Sequence, residues 1–271
     1  MEHIKRVASA LLLLPPLVCV LLYTSPPWFL GLILALISLS FREYRQLLQQ
    51  AHLTLWPYTT WCTALIMALM TYGGGLSWLS LALFASLLTL TVRAMWGPTP
   101  PTQSFPVLVH SLFGIVLIAW PISHLLLLRP LPAGPWYILF LCAVVWVGDS
   151  AAMYVGKSVG RHKMAPVLSP GKTWEGACGG LLGGVGTAII SAHFWLPHLS
   201  LWQCIVLGGG LSLTAQLSDL GESMLKRYVG VKDSGSLIPG HGGILDRIDS
   251  MLFAAPTLVY ALHVLALVPA L

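Results

Sequence analysis

The sequence predicts an all-α fold, a polytopic membrane helical bundle of about nine transmembrane helices with a cytoplasmic-facing polar site. Three observations carry this expectation. Hydrophobic residues make up 56% of the 271-residue chain and charged ones 8%, where a soluble domain holds about 25% charged. So few charges cannot cover a water-facing surface, so most of the exterior must face lipid. Apolar runs approach or reach the length that spans a bilayer, about 20 residues, again and again along the chain. Finally, five of the nine acidic residues fall within one stretch, Asp219 to Asp249. Charge gathered against hydrocarbon is costly and needs a reason.

The nine runs are about 7–24, 26–41, 55–72, 75–92, 106–128, 134–155, 175–195, 201–222 and 251–269. The second is short and suits a tilted or partly inserted helix. Pro15 and Pro16 should kink or break the first, because proline lacks the N–H and clashes with the preceding turn, and Pro121 should do the same in the fifth. Gly97 to Pro106 reads as the loosest loop. No small-residue cleavage site precedes a soluble region, so a cleavable leader is not expected. The five cysteines are scattered through or beside apolar runs without metal-ligand spacing and read as small core residues. Two regions follow: N-terminal transmembrane helices over 1–130 and a C-terminal transmembrane catalytic region over 131–271.

Positive charge sets the orientation. With the N-terminus inside and nine alternating spans, thirteen of the fourteen Lys and Arg lie on the inner side and only Arg129 lies outside. The expected location is the cytoplasmic (inner) membrane, and anything polar happens on its cytoplasmic face. The net charge of +5 is thereby topogenic, and no nucleic-acid partner is expected. Glu43, between Arg42 and Arg45, reads as a charge-balanced helix end. His110 and His124 read as packed, hydrogen-bonded residues.

Two inner segments carry the chemistry. If the eighth span stays helical past the membrane edge, Asp219, Glu222, Ser223 and Lys226 fall at i, i+3, i+4 and i+7 and share one face. The loop that follows holds Gly230, Gly235, Gly240, Gly242 and Gly243, with Lys226, Arg227, Lys232, His241 and Arg247 interleaved. Glycines let a backbone approach a phosphate and offer its N–H groups, and Lys and Arg beside them suit a polyphosphate. A flexible loop with topogenic cations is the plainer reading, but it leaves the interleaved acids unexplained. Asp246 and Asp249 close the segment at i, i+3. Carboxylates converging beside a phosphate loop suit Mg²⁺, which takes one or two of them and completes its shell with water and substrate phosphates.

The other segment runs from Asp149, inside the sixth apolar run, through Lys157, Arg161, Lys163 and Lys172. S-P-G-K-T at 169–173 is not a Walker loop, because the required first glycine would be Pro166. It reads as a turn feeding a helix whose N-terminus faces the interface, where an anion is favoured, with Glu175 capping that end.

Ser223 to Asp249, S-M-L-K-R-Y-V-G-V-K-D-S-G-S-L-I-P-G-H-G-G-I-L-D-R-I-D, resembles the signature of phosphatidate cytidylyltransferases (CDP-diglyceride synthases). Gly148 to Gly176 resembles the same family. Both lie within about the C-terminal 45% of the chain. One departure is Ser218, where the family usually carries glycine before the equivalent of Asp219.

The resemblance implies a homodimer that converts CTP and phosphatidic acid to CDP-diacylglycerol and pyrophosphate in phospholipid biosynthesis. It implies Mg²⁺ as cofactor and admits a monovalent cation such as K⁺. It assigns metal binding to Asp219 and Asp246, with Asp249 and Glu222 as further ligands or supports. Lys226, Lys232 and Arg247 would hold triphosphate or pyrophosphate against the P-G-H-G-G backbone, with Gly242, Gly243, Ser223 and Arg227 in the binding set. Asp149, Ser169 and Lys172 would complete the pocket, and His241 would orient rather than transfer a proton. A transporter would instead spread polar residues along several spans and near the midplane. A CTP-using lipid kinase would move the γ-phosphoryl rather than the cytidylyl group.

Overall fold

The computed structural model describes residues 18–232, 234–235 and 243–268. Eight α-helices have both ends among them: α1 Pro26–Gln50, α2 Pro57–Trp96, α3 Pro101–Gly114, α4 Trp120–Leu128, α5 Gly134–Val159, α6 Trp174–Trp195, α7 Leu201–Tyr228 and α8 Leu245–Val264. A π-helical turn, Ile115–Ala119, joins α3 to α4. Between α5 and α6 lies an antiparallel pair, β1 Lys163–Ala165 and β2 Ser169–Thr173. The fold is therefore helical as expected, apart from this small hairpin.

Five segments are long and apolar enough to cross a membrane: α1, α2, α3 through α4, α5 and α6. Many large apolar side chains on them point outward, among them Leu81, Phe84, Leu182, Ile190 and Phe194. That is the surface a lipid-facing helix presents. This is a multi-pass membrane protein. The expected first run lies mostly outside the described residues, as do Pro15 and Pro16. The third and fourth expected runs meet inside α2 at Gly75, whose φ of 71° and ψ of −154° are non-helical. Only glycine adopts that conformation without strain. α7 and α8 are also long, but Gln203, Gln216 and the charged residues of α7, and the three charges in the first turns of α8, dilute their apolar character.

The chain divides into two compact units, one within Met1–Pro130 and Val229–Arg247, the other within Leu131–Tyr228 and Ile248–Ala270. In the first, α1 buries Ile33, Ile37, Phe41, Tyr44, Leu47 and Leu48, a stripe with the three- and four-residue spacing of a helix face. The Tyr44 hydroxyl donates to the His110 carbonyl at 2.9 Å, and the His110 ring meets the Thr54 carbonyl at 3.1 Å. Pro121 sits just after the π-helical turn. Its missing N–H removes a helical bond, and the wider turn is where the backbone adjusts.

In the second unit α5, α6 and α7 pack on one another through small residues. A Cβ on Gly184 would stand 2.8 Å from the Ser212 Cβ, and one on Gly180 would stand 2.9 Å from the Ala152 Cβ. Neither space exists for a larger residue, so these glycines are what lets the helices approach. Ser212 also donates to the Gly180 carbonyl at 2.9 Å. Of the cysteines, only Cys142 and Cys204 are buried, while Cys19, Cys62 and Cys178 lie on exposed faces. An apolar thiol is at home against lipid as well as in a core, so the expectation that all five are core residues does not hold.

Candidate active site

α7 is one unbroken helix from Leu201 to Tyr228, so Asp219, Glu222, Ser223 and Lys226 do share it. They do not form one column of equals. Asp219 is partly exposed and its Oδ2 pairs with Lys172 Nζ at 2.8 Å. Glu222 is fully buried and its Oε2 pairs with Lys226 Nζ at 2.5 Å. Ser223 is buried.

Asp219 opens onto a cavity of about 450 Å³ in the second unit. Asp149 from α5, Lys172 and Thr173 from β2, and Asp249 and Ser250 from α8 line it too. So do Gln216, one turn before Asp219, and Lys157 at the end of α5. The charges of Asp149, Asp219 and Asp249 are close enough to act on one another. Asp249 precedes the final apolar run and lies outside the five candidate spans. Burial first, and the negative charge of Asp219 second, push its carboxyl up to about 7. A cation placed among these carboxylates would relieve their mutual repulsion.

The hairpin is held by Glu175. Its carboxylate accepts the Arg161 N–H at 3.1 Å and the His162 N–H at 3.2 Å, and meets the His162 ring at 2.6 Å. Thr173, rather than Glu175, caps α6, accepting the Gly176 N–H at 3.1 Å. The S-P-G-K-T segment is thus a strand and not the expected turn, because the Glu175 bonds to Arg161 and His162 draw the two sides of the loop together. Ser169 sits at the far end of β2, opposite Ala165, and is absent from the cavity lining. Arg227 donates to the Leu168 carbonyl at 3.1 Å.

In the first unit, Asp246 accepts the Ser234 N–H at 3.0 Å and the Gly243 N–H at 2.8 Å. Gly243 is buried, whereas Lys232 and Arg247 are exposed. His241 and Gly242 lie outside the described residues. Of the expected residues, then, Asp149, Lys172, Asp219 and Asp249 gather on one cavity, while Glu222 pairs with Lys226, which does not line the cavity but whose charge acts on Asp249.

Sequence reading missed Gln216, Ser250 and Thr173 in the cavity. The first carried a signal, as a polar residue three places before Asp219 inside an apolar run. It also missed Glu43. That side chain is fully buried and accepts the N–H groups of Ile244 and Leu245, each at 2.8 Å. The flanking arginines suggested only charge balance, and nothing in the sequence pointed to a partner two hundred residues away.

Among the described residues no group of three or more His, Cys, Asp or Glu is set to hold a metal by itself. Mg²⁺ does not need such a cage. Hard carboxylate oxygens, room for water and a substrate phosphate suffice, and the cavity offers the first two of these.

The sequence profile of the cytidylyltransferase family matches residues 4–265. A phosphatidate cytidylyltransferase of Bacillus subtilis is 40% identical over 69% of this chain and 69% of its own. One of Haemophilus influenzae is 32% identical over 94% of this chain and 97% of its own. One of Staphylococcus epidermidis reaches 46% identity over 45% of this chain and 47% of its own. A profile match across nearly the whole chain, with one relative that aligns almost end to end, leaves one conclusion: the chain belongs to the cytidylyltransferase family.

Proposed function

We propose that the cavity bounded by Asp149, Lys172, Asp219 and Asp249 is where the chain performs its reaction. That reaction is nucleotidyl transfer from CTP to phosphatidic acid, giving CDP-diacylglycerol and pyrophosphate in phospholipid biosynthesis. The observation that carries the placement is the convergence of three carboxylates and a lysine from α5, β2, α7 and α8 on one space.

A phosphate oxygen of phosphatidate attacks the α-phosphorus of CTP. The bond from that phosphorus to the bridging oxygen of the β-phosphate breaks, and pyrophosphate leaves with the electron pair. The nucleophile is already anionic, so no strong general base is required. Positioning and charge neutralisation do the catalysis. Asp219 and Asp249 would hold Mg²⁺, with Asp149 beside them. When bound there, the ion supplies positive charge to the triphosphate. Lys172 orients Asp219 through their ion pair at 2.8 Å. Lys226, Lys232 and Arg247 are assigned to the leaving phosphates, and Arg227 and Ser223 to the binding set, by the family signature and not by the cavity's geometry. Asp246 serves by tying Ser234 to Gly243. His241 and Gly242 are assigned to substrate orientation and phosphate contact on the strength of the signature alone.

The separation of Lys and Arg supports about nine spans with the N-terminus inside and this site at the cytoplasmic side of the inner membrane. A homodimer is proposed from the family resemblance, and K⁺ as an accessory ion likewise.

The test is direct. Membranes containing the protein receive phosphatidate, Mg²⁺ and CTP labelled at the α-phosphorus. Label is expected in the lipid fraction. Label confined to water-soluble products, or lipid labelled only when CTP carries the label at the γ-phosphorus, refutes the reading.

A further inference from the structure

Among the described residues two carboxylates are fully buried, Glu43 and Glu222. Glu222 has Lys226 beside it. Glu43 is met by donors of a different kind: the Ile244 N–H and the Leu245 N–H at 2.8 Å each, and the Ser234 hydroxyl at 3.4 Å. Ile244 immediately precedes α8 and Leu245 is its first residue. The first N–H groups of a helix have no partner within it, and the helix dipole favours a negative group there. Glu43, from α1, supplies that group across two hundred residues of sequence.

The fit is tight on every side. A Cβ on Gly243 would collide with the Glu43 carboxylate and the Ser234 hydroxyl. A Cβ on Gly235 would stand 3.2 Å from Glu43 Oε1. Two glycines of the signature are therefore explained by the carboxylate they must approach. Asp246 closes the arrangement by accepting the Ser234 and Gly243 N–H groups. Ser234 is held by both acids, its hydroxyl by Glu43 and its N–H by Asp246.

We propose that Glu43 is a positioning residue for cytidylyl transfer, fixing the start of α8 and the glycines on either side of 236–242. α8 carries Arg247 and Asp249 in its first turns, so the orientation of both depends on how the helix begins. The anion slot at this helix start is filled by the protein itself. The Ile244 and Leu245 amides therefore do not hold the nucleotide, and its phosphates fall to the cations. The inference rests on the reading that Arg247 and Asp249 serve the site.

The experiment uses the full-length enzyme in detergent micelles with phosphatidate. kcat and the separate KM values for CTP and for phosphatidate are measured for Glu43→Ala, Glu43→Gln and Asp249→Asn. Each lost bond to a charged acceptor is worth about a factor of ten or more. Glu43→Ala should therefore raise the CTP KM by about tenfold or more and leave the phosphatidate KM unchanged. Glu43→Gln keeps one acceptor oxygen and should fall between Glu43→Ala and the parent. It also gives the reading if Glu43→Ala does not fold. A purely structural role would reduce only the active fraction, lowering apparent kcat with both KM values intact, and that result in Glu43→Gln would overturn the proposal. Near-normal turnover in Asp249→Asn would sink the site assignment instead, independently of what Glu43 shows.

Discussion

Replacing Asp219 with asparagine separates stability from catalysis, because the structure assigns this side chain very different weights in each. The change keeps shape and removes one negative charge. The ion pair it breaks is close, at 2.8 Å, and its side chains are 22% and 32% exposed. That is too little exposure for a surface pair worth about 1 kcal/mol or less, and the Lys172 Nζ is itself shielded from solvent, but an asparagine oxygen can still accept from it and Asp149 still acts on it. The loss is further offset because Asp219 is one of the charges that disfavour ionised Asp249, and that repulsion disappears with it. The net cost should be about 1–2 kcal/mol, between an exposed pair and a fully buried one, a shift of a few degrees in Tm. Catalysis should respond far more. A carboxylate that holds the ion opposing triphosphate charge acts where charge is redistributed, and removing one such group costs about 10²-fold or more in turnover, roughly 2.7 kcal/mol or above. The assay is transfer of α-labelled cytidylyl into lipid over a Mg²⁺ titration, with thermal unfolding in the same detergent. Turnover falling at least that far, with half-maximal Mg²⁺ displaced upward and Tm lowered by only a few degrees, is the expected outcome. Turnover within about threefold of the parent would remove Asp219 from the metal site. A much larger drop in Tm would show that the ion pair is structural.

The buried pair on α7 should behave in the opposite sense. Glu222→Gln leaves Lys226, 12% exposed, without its closest counter-charge, and a buried pair broken on one side costs about 3–5 kcal/mol; a Tm within a degree of the parent would refute this. Changing both residues to similarly sized neutral ones should recover most of the stability while activity stays low, measured by unfolding and label transfer on the same samples. Ser218→Gly, which restores the residue usual in the family, removes a hydroxyl that donates to the Asp249 carbonyl and accepts the Phe253 N–H at 3.2 Å. Those two groups pair with each other in an unperturbed helix. The variant should therefore leave these two groups to each other, remain folded, and change turnover by less than about tenfold; a larger loss would mean that the hydroxyl sets the Asp249 backbone in a geometry the reaction needs.

What was legible in the sequence was local. An unbroken α7 carrying Asp219, Glu222, Ser223 and Lys226 could be read from periodicity, because i, i+3 and i+4 relations need only the helix itself. The break at Gly75 was legible as the gap between two apolar runs, since no other residue accepts φ of 71° there without strain. Which faces meet was not legible. Asp219 turns to Lys172 and Glu222 turns to Lys226, although the two acids sit three residues apart on one helix and were expected to share one face. That choice belongs to the strand Ser169–Thr173, whose formation depends on Glu175 bonding back to Arg161 and His162, a contact across a loop that no periodicity encodes. Glu43 shows the same limit more sharply. Between Arg42 and Arg45 it has the signature of an exposed helix end, yet it is buried against backbone N–H groups. Backbone donors leave no mark in composition, so a carboxylate that serves them is indistinguishable in sequence from one balanced by neighbouring cations. The glycines were the available clue. Gly235 and Gly243 were read as making room for a phosphate, and the structure puts a carboxylate of the same chain against both. A glycine-rich signature therefore reports that something anionic comes close to the backbone, and only the fold decides whether that anion is a substrate or another part of the protein.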